Sequence, residues 1–169
     1  MEKRNRLGNA LSDSLGKMYL HELVNQHIYD MISCYLDNLG LYHLSKYYAE
    51  WSQEEKNHAD WVKDFMLSVG AMPPNGYELK VDKIDFVDMY TFVDKTVERE
   101  QLTTDMYNLC YETAMEENNG MAVNFIIGTM QKEQIEEENK ASTLSDQIHH
   151  LKDMQALQRF DLSFKKDYY

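Results

Sequence analysis

The chain has 169 residues, of which 43% are hydrophobic and 27% charged, and its formal net charge is −12. This size and composition predict one globular domain with a sizeable core, and the negative charge argues against nucleic acid or an anionic membrane as a partner. No apolar run is long enough to span a membrane, and the N-terminal sequence MEKRNRLGNALSDSLG lacks the apolar core of a signal peptide. We therefore expect a cytoplasmic protein.

Four long helices are predicted in chain order, at about 8–37, 41–69, 83–117 and 120–149, followed by a short fifth helix from Met154 to Lys165. Breaks at Asn38–Gly40 and Asn118–Gly120 give short connections, whereas AMPPNG at 71–76 and the polar stretch after it give a long one. Two hairpins joined by a long crossover predict an all-α, up-down-down-up four-helix bundle. We expect a single domain over residues 1–169, with the bundle at about 8–149 and the short C-terminal helix at about 154–165.

Each long helix carries a stripe of mostly apolar residues spaced by four and three, which is typical of the inward face of a bundle helix. The stripes are Leu11, Leu15, Met18, Glu22, Asn25, Tyr29, Ile32, Leu36; Leu44, Tyr48, Trp51, Glu55, His58, Val62, Phe65, Val69; Phe86, Met89, Val93, Thr96, Glu100, Thr104, Tyr107, Tyr111, Ala114; and Val123, Ile127, Met130, Gln134, Glu137, Ala141, Leu144, Ile148. These positions predict the core.

Charged or amide side chains interrupt every stripe near its middle. One glutamate comes from the first helix and one from the third, and pairs spaced by three residues come from the second and fourth: Glu22, Glu100, Glu55–His58 and Gln134–Glu137. A buried charge costs several kcal/mol unless something compensates it, and a metal ion compensates several carboxylates at once. This ligand pattern is that of di-iron carboxylate bundles.

With these residues in view, the chain resembles bacterial non-haem ferritins over almost its whole length, including the crossover and the short last helix. The resemblance is carried by the Glu22–Glu55 separation, EExxH at 54–58, EREQ at 98–101 and EQxEE at 133–137. It implies an iron-storage ferroxidase that oxidises Fe(II) with dioxygen or hydrogen peroxide. It also implies that ferric oxyhydroxide is stored inside a shell of twenty-four subunits, with the fifth helix closing one symmetry axis.

The resemblance also implies which residues bind iron. Glu22, Glu55 and His58 would hold one iron and Glu55, Glu100 and Glu137 the other, with Glu55 bridging, Gln134 beside the pair and Tyr29 close by. A third iron site would use Glu54, Glu133, Glu136 and Glu137. Helical spacing supports it, because Glu133 shares a face with Glu136 and Glu137. The acidic run at 136–138 is equally consistent with a solvated helix face.

Haem is not expected, because Lys56 follows Glu55 where bacterioferritins place a methionine, and Glu137 stands where they use a second histidine. Two other functions stay open. A ferritin-like subunit that binds divalent ions without turnover is one, although the complete ligand set disfavours it. A rubrerythrin-type oxidase is the other, but it would normally carry a second ExxH and often a CxxC iron domain. The two cysteines, Cys34 and Cys110, have no such spacing and are predicted to be buried thiols.

Overall fold

A computed structural model describes residues 4–81 and 83–164. The regular secondary structure within those ranges is helical. The helices are α1 (Asn9–Asn38), α2 (Tyr42–Ser68), α3 (Thr91–Glu116), α4 (Gly120–Phe125), α5 (Lys132–His149) and α6 (Met154–Phe164). A π-helical turn, Ile126–Gln131, joins α4 to α5, so the three form one continuous fourth helix. The all-α bundle is confirmed. Among the described residues, no helix combines the length and the apolarity needed to cross a bilayer.

The N-termini of α1 and α2 are held by carboxylates from distant parts of the chain. Glu117, at the end of α3, accepts hydrogen bonds from the backbone N–H groups of Gly8 (2.8 Å) and Leu11 (3.0 Å). Buried Asp161 of α6 accepts one from the Leu44 N–H at 2.8 Å. The first turn of a helix leaves N–H groups unpaired and favours negative charge, so both contacts stabilise helix starts. Asp161 thereby fastens α6 to α2; Lys165, the predicted end of that helix, lies outside the described residues.

The third helix begins later than predicted, at Thr91 rather than at residue 83. Asp88 explains the start, because its Oδ1 accepts hydrogen bonds from the N–H groups of Tyr90 and Thr91, both at 2.9 Å. Such a side-chain turn competes with helix and favours a helix start just after it. Phe86 still reaches the core from this connection, where its ring stacks on that of Tyr35 with 3.8 Å between centroids.

The π-helical turn changes which residues of the fourth helix face inward. Val123 is only half-buried and Ile127 is 47% exposed, so the prediction that both lie in the core is wrong. Ala122 and Ile126 are buried instead, in line with buried Met130. A π-helix has a wider turn than an α-helix. Steps of four therefore stay on one face through this segment, and the predicted steps of four and three apply only after it.

The core has two apolar clusters with a polar layer between them. One cluster gathers around Tyr29, Tyr48 and Trp51, and the other around Leu15, Tyr107 and Met130. All residues of the α1 stripe are buried, as predicted. Several predictions of burial are corrected. Phe65 and Thr104 are half-buried while their neighbours Met66 and Thr103 are buried. Cys34 is exposed, unlike buried Cys110, and three further stripe residues are half-buried: Phe86, Met89 and Tyr111.

Candidate metal centre

The polar layer is built from the residues that interrupt the four stripes. Their exposed fractions are Glu22 0%, Glu55 1%, His58 3%, Glu100 1%, Gln134 3% and Glu137 1%. Each long helix contributes at least one of them, and the apolar clusters close the layer above and below. Four carboxyl groups and an imidazole therefore share one water-poor volume, which is unfavourable for a bundle core without a bound cation.

The ligand atoms form two overlapping triads. In one, an atom each of Glu22, Glu55 and His58 lies within 4.8 Å of the other two; in the other, the same holds for Glu55, Glu100 and Glu137. Among the described residues, these are the groups of acidic, histidine or cysteine side chains that meet this distance. Glu55 belongs to both triads, so the structure brings together the two predicted ligand sets around the carboxylate predicted to bridge them.

Two tyrosines, one on α1 and one on α3, each donate a hydrogen bond to a glutamate of the centre on the other helix. Tyr29 follows Glu22 by seven residues on α1 but donates its hydrogen bond to Glu100 Oε1 on α3. Tyr107 follows Glu100 by seven residues on α3 and donates to Glu22 Oε1 on α1, at 2.5 Å. Each apolar cluster thus presents one phenol to the polar layer. Burial, followed by the neighbouring carboxylate, raises the pKa of both phenols well above the ordinary value, which keeps their protons available for donation.

The carboxyl groups are strongly perturbed. Burial is the largest cause that raises the pKa of Glu22 and Glu55 well above the ordinary range, and like-charge neighbours add to it. Burial also raises the pKa of Glu137 to about 8 and raises that of Glu100, where the hydrogen bonds from Tyr29 and Gln134 oppose it. Without a cation, the centre therefore holds protons at neutral pH that a metal ion must displace.

Several polar side-chain atoms in the layer lack a hydrogen-bond partner. Glu55 Oε1, His58 Nδ1 and Gln134 Oε1 are buried and unpaired. His58 Nδ1 lies 3.6 Å from Glu55 Oε2 and 3.7 Å from Glu137 Oε2, too far for a hydrogen bond. Unpaired buried polar atoms are rare and costly in proteins. Here they belong to an oxygen-rich set with one imidazole, and this donor chemistry fits iron.

A second polar network reaches the centre from one side. Asn25 is fully buried, and its Nδ2 lies 3.4 Å from Glu22 Oε2 and 3.5 Å from Glu55 Oε2. Its Oδ1 accepts a hydrogen bond from Arg99 Nε at 2.7 Å. Desolvation, helped by the Arg99 charge, lowers the pKa of His21 to about 3, so neutral His21 accepts from the Arg99 guanidinium. The amide is therefore held with its N–H groups towards the carboxylates.

The residues predicted for a third iron site lie apart from the two triads. Glu54 and Glu136 are exposed and Glu133 is half-buried. Glu54 Oε2 is 3.9 Å from Lys140 Nζ, a loose contact between α2 and α5. The third site stays a prediction.

Sequence reasoning missed Tyr107 and Asn25 as members of the centre, although both were placed on inward stripes. A signal for Tyr107 was present, because Tyr107 follows Glu100 by seven residues, as Tyr29 follows Glu22. Nothing local marks Asn25, because its partners Thr103 and Arg99 come from α3.

The fold and the site define a four-helix bundle with a buried carboxylate–histidine centre. The family model for the ferritin-like domain matches residues 13–154, so the chain belongs to the ferritin family. It is 25% identical over 148 residues to the bacterial non-heme ferritin of Bacteroides fragilis, strains 638R and YCH46, covering 85% of this chain and 86% of the relative.

Two solved structures share the fold. An open pore ferritin from the archaeon Archaeoglobus fulgidus superposes with a TM-score of 0.87 at 22% identity, covering 95% of this chain and 98% of that one. The ferritin of Chlorobium tepidum gives a TM-score of 0.82 at 22% identity, covering 96% and 99%. The predicted resemblance to ferritins is confirmed.

Proposed function

We propose that this protein is an iron-storage ferroxidase that oxidises Fe(II) to Fe(III) with dioxygen or hydrogen peroxide. The single observation that carries the proposal is the pair of overlapping triads that share Glu55 in a buried layer. Fe(II) is the substrate, and the ferric oxyhydroxide product is stored in a cytoplasmic shell of twenty-four copies of this chain. Each copy acts as a single ferritin-like domain, and haem takes no part.

Each ligand side chain has a separate role in binding the two irons. Glu55 bridges the two irons, Glu22 and His58 complete one site, and Glu100 and Glu137 complete the other. Two Fe(II) ions and two protons reduce one dioxygen to hydrogen peroxide, so adjacent sites avoid one-electron release of superoxide. Carboxylate oxygens favour the ferric product. Binding of Fe(II) displaces the protons that burial keeps on these carboxyls, and those protons are then available to the reduced oxygen.

The surrounding polar groups position the ligands. Gln134 Nε2 donates to Glu100 Oε2 at 2.9 Å, and Tyr29 and Tyr107 hold the terminal carboxylates Glu100 and Glu22. Hydrogen-bond partners of this kind fix the orientation of metal ligands. On the side of α5 that faces α2, Glu54, Glu133 and Glu136 would supply the third iron site together with Glu137.

Glu55→Ala is the decisive variant, with exposed Glu112→Ala on α3 as its matched control. After anaerobic loading with two Fe(II) per subunit, stopped-flow absorbance on mixing with dioxygen should show rapid oxidation in the unmodified protein and in the control. Glu55→Ala should leave only slow oxidation at the rate without a site. Equal rapid oxidation in Glu55→Ala would refute the proposed centre. Rapid oxidation missing from the unmodified protein, with zinc still bound, would favour the alternative of an ion-binding subunit without turnover.

Static light scattering tests the shell. Twenty-four copies of the 20.0 kDa chain have a mass of about 480 kDa. A monomer at micromolar concentration would contradict the storage function even if the centre oxidised iron.

A further inference from the structure

A cavity of about 210 Å³ opens between α3 and the fourth helix, beside the end of the π-helical turn. Apolar surface, including Ile135, makes up much of its lining, and the polar residues there are Thr104, Tyr107, Asn108, Gln131, Gln134 and Glu138. Nothing in the centre described above uses Glu138, Asn108 or Gln131, although the cavity lies directly against that centre.

The floor of the cavity is one hydrogen bond from the buried carboxylates. Tyr107 donates to Glu22 Oε1 at 2.5 Å, and Gln134 donates to Glu100 Oε2 at 2.9 Å. Both side chains are 3% exposed, so they separate the cavity from the polar layer. Gln134 Oε1 has no hydrogen-bond partner, which leaves an oxygen donor free on a side chain that lines the cavity.

The mouth of the cavity carries a carboxylate. Glu138 is half-buried, and its Oε1 accepts a hydrogen bond from Thr104 Oγ1 at 2.6 Å. Gln131 and Asn108 join the two helices by a longer hydrogen bond of 3.3 Å. Both bonds join side chains of α3 and the fourth helix, so neither is part of the backbone hydrogen bonding of a helix. Oxygen donors with one negative charge suit a hydrated divalent cation.

This cavity is on the opposite flank of α5 from the predicted third iron site. Glu138 contacts α3 through Thr104, whereas Lys140 contacts α2 through Glu54. A cation at Glu138 therefore approaches the centre from the Tyr107 and Gln134 side, independently of Glu54, Glu133 and Glu136.

Resting on the function proposed above, we propose that the cavity between α3 and the fourth helix is the route by which Fe(II) reaches the buried centre. Glu138 makes the first, transient contact with the ion at its mouth, and Gln134 Oε1 is the next oxygen inward. Rotation of Tyr107 away from Glu22 then admits the ion. The net charge of −12 draws cations to the whole surface, and the carboxylate in the cavity selects this entrance.

Kinetics of Co(II) binding distinguish a route from a ligand site. A group on the path lowers the barrier in both directions, so its loss slows association and dissociation by the same factor and leaves the dissociation constant unchanged. A permanent ligand instead changes the dissociation constant. The variant is Glu138→Gln in the assembled protein, and the matched control is Glu112→Gln, an exposed glutamate on α3 that does not line the cavity. Anaerobic stopped-flow absorbance of Co(II) reads the rates, and equilibrium titration reads the dissociation constant.

We expect Glu138→Gln to slow Co(II) association about three- to tenfold, at or below the lower end of electrostatic steering effects because one charge is removed, with an unchanged dissociation constant. Asn108→Trp, which places a bulky ring at the mouth, should slow association further, whereas Asn124→Trp, at an exposed position of α4, should have no effect. Unchanged association in both Glu138→Gln and Asn108→Trp would overturn the route. A raised dissociation constant with a normal association rate would also overturn the route, because Glu138 would then be a permanent ligand.

The order of addition separates failure of the route from failure of the proposed function. When Fe(II) is added to aerobic protein, Glu138→Gln should slow oxidation about three- to tenfold, the same factor as its effect on association. When Fe(II) is loaded anaerobically before dioxygen is added, oxidation should match the unmodified protein. Slow oxidation in both orders would show that Glu138 affects the chemistry or the entry of oxygen, and the route for Fe(II) would be wrong. Slow oxidation in the unmodified protein itself would refute the proposed function, whereas the Co(II) rates would still test the route.

Discussion

Glu137→Gln should remove a large part of the pH dependence of stability in the metal-free protein. Burial raises the pKa of Glu137 to about 8, from an ordinary value of 4.5, and the side chain is 1% exposed. The folded protein therefore keeps this proton to a higher pH than the unfolded chain does. The stabilisation that results is complete below about pH 4.5 and is lost as the pH rises through 8.

The magnitude follows from linkage. Between the two pKa values the free energy of unfolding falls by about 1.4 kcal/mol per pH unit, so raising the pH from about 5 to 9 costs about 4 kcal/mol through Glu137. For a domain of this size that is about 8–16 °C in melting temperature. Glutamine has nearly the same shape as glutamate but does not titrate, so the stability of Glu137→Gln should lack this pH dependence.

Thermal unfolding followed by circular dichroism, with chelator present and protein concentration fixed, measures the difference. The melting temperature of Glu137→Gln minus that of the unmodified protein should rise steadily from about pH 5 to 9. Titrating groups outside the centre contribute equally to both proteins and cancel, whereas Glu55 also loses the part of its pKa shift that the Glu137 charge supplies. Glu112→Gln, exposed on α3, should show a flat difference. A flat difference for Glu137→Gln as well would mean that this carboxyl is ionised in the folded protein, and the picture of a proton-holding centre would be refuted.

Two further substitutions test the surroundings of the centre. Tyr107→Phe should lower the unfolding free energy of the metal-free protein by about 1–3 kcal/mol in denaturant titrations, since Glu22 Oε1 loses its hydrogen-bond donor in a buried site. It should also move Zn(II) binding to higher pH, because the hydrogen bond from Tyr107 lowers the Glu22 pKa. An unchanged pH dependence of Zn(II) binding would mean that the phenol contributes packing alone. Gly70→Ala should destabilise the protein more than Gly40→Ala. Both glycines have a positive φ, +82° at Gly70 and +75° at Gly40. A Cβ added at Gly70 would lie 2.5 Å from the Arg4 carbonyl oxygen, whereas a Cβ at Gly40 would have no atom of the described residues beyond its own chain neighbours within 4 Å. Left-handed backbone alone costs about 1–2 kcal/mol in both, so equal losses would show that the chain near Arg4 moves aside freely.

The sequence by itself determined the bundle and the burial of the glutamates at its centre. Helical periodicity fixes which side chains share a face, and a glutamate on an otherwise apolar face is buried away from water together with that face. Glu22, Glu55 and Glu100 could therefore be placed in the core without coordinates. Local spacing contains this information, because the period of an α-helix does not depend on its neighbours.

Contacts between distant segments were decided only by the tertiary structure. The reciprocal bonds of Tyr29 and Tyr107, the capping of α2 by Asp161 and the approach of Asn25 to the carboxylates each join residues from different helices. The π-helical turn belongs to the same group. It moved Ile127 out of the core, although the sequence there reads as ordinary amphipathic helix. A wider turn costs hydrogen-bond geometry locally, so only packing against the other helices stabilises it, and no local pattern records that compensation.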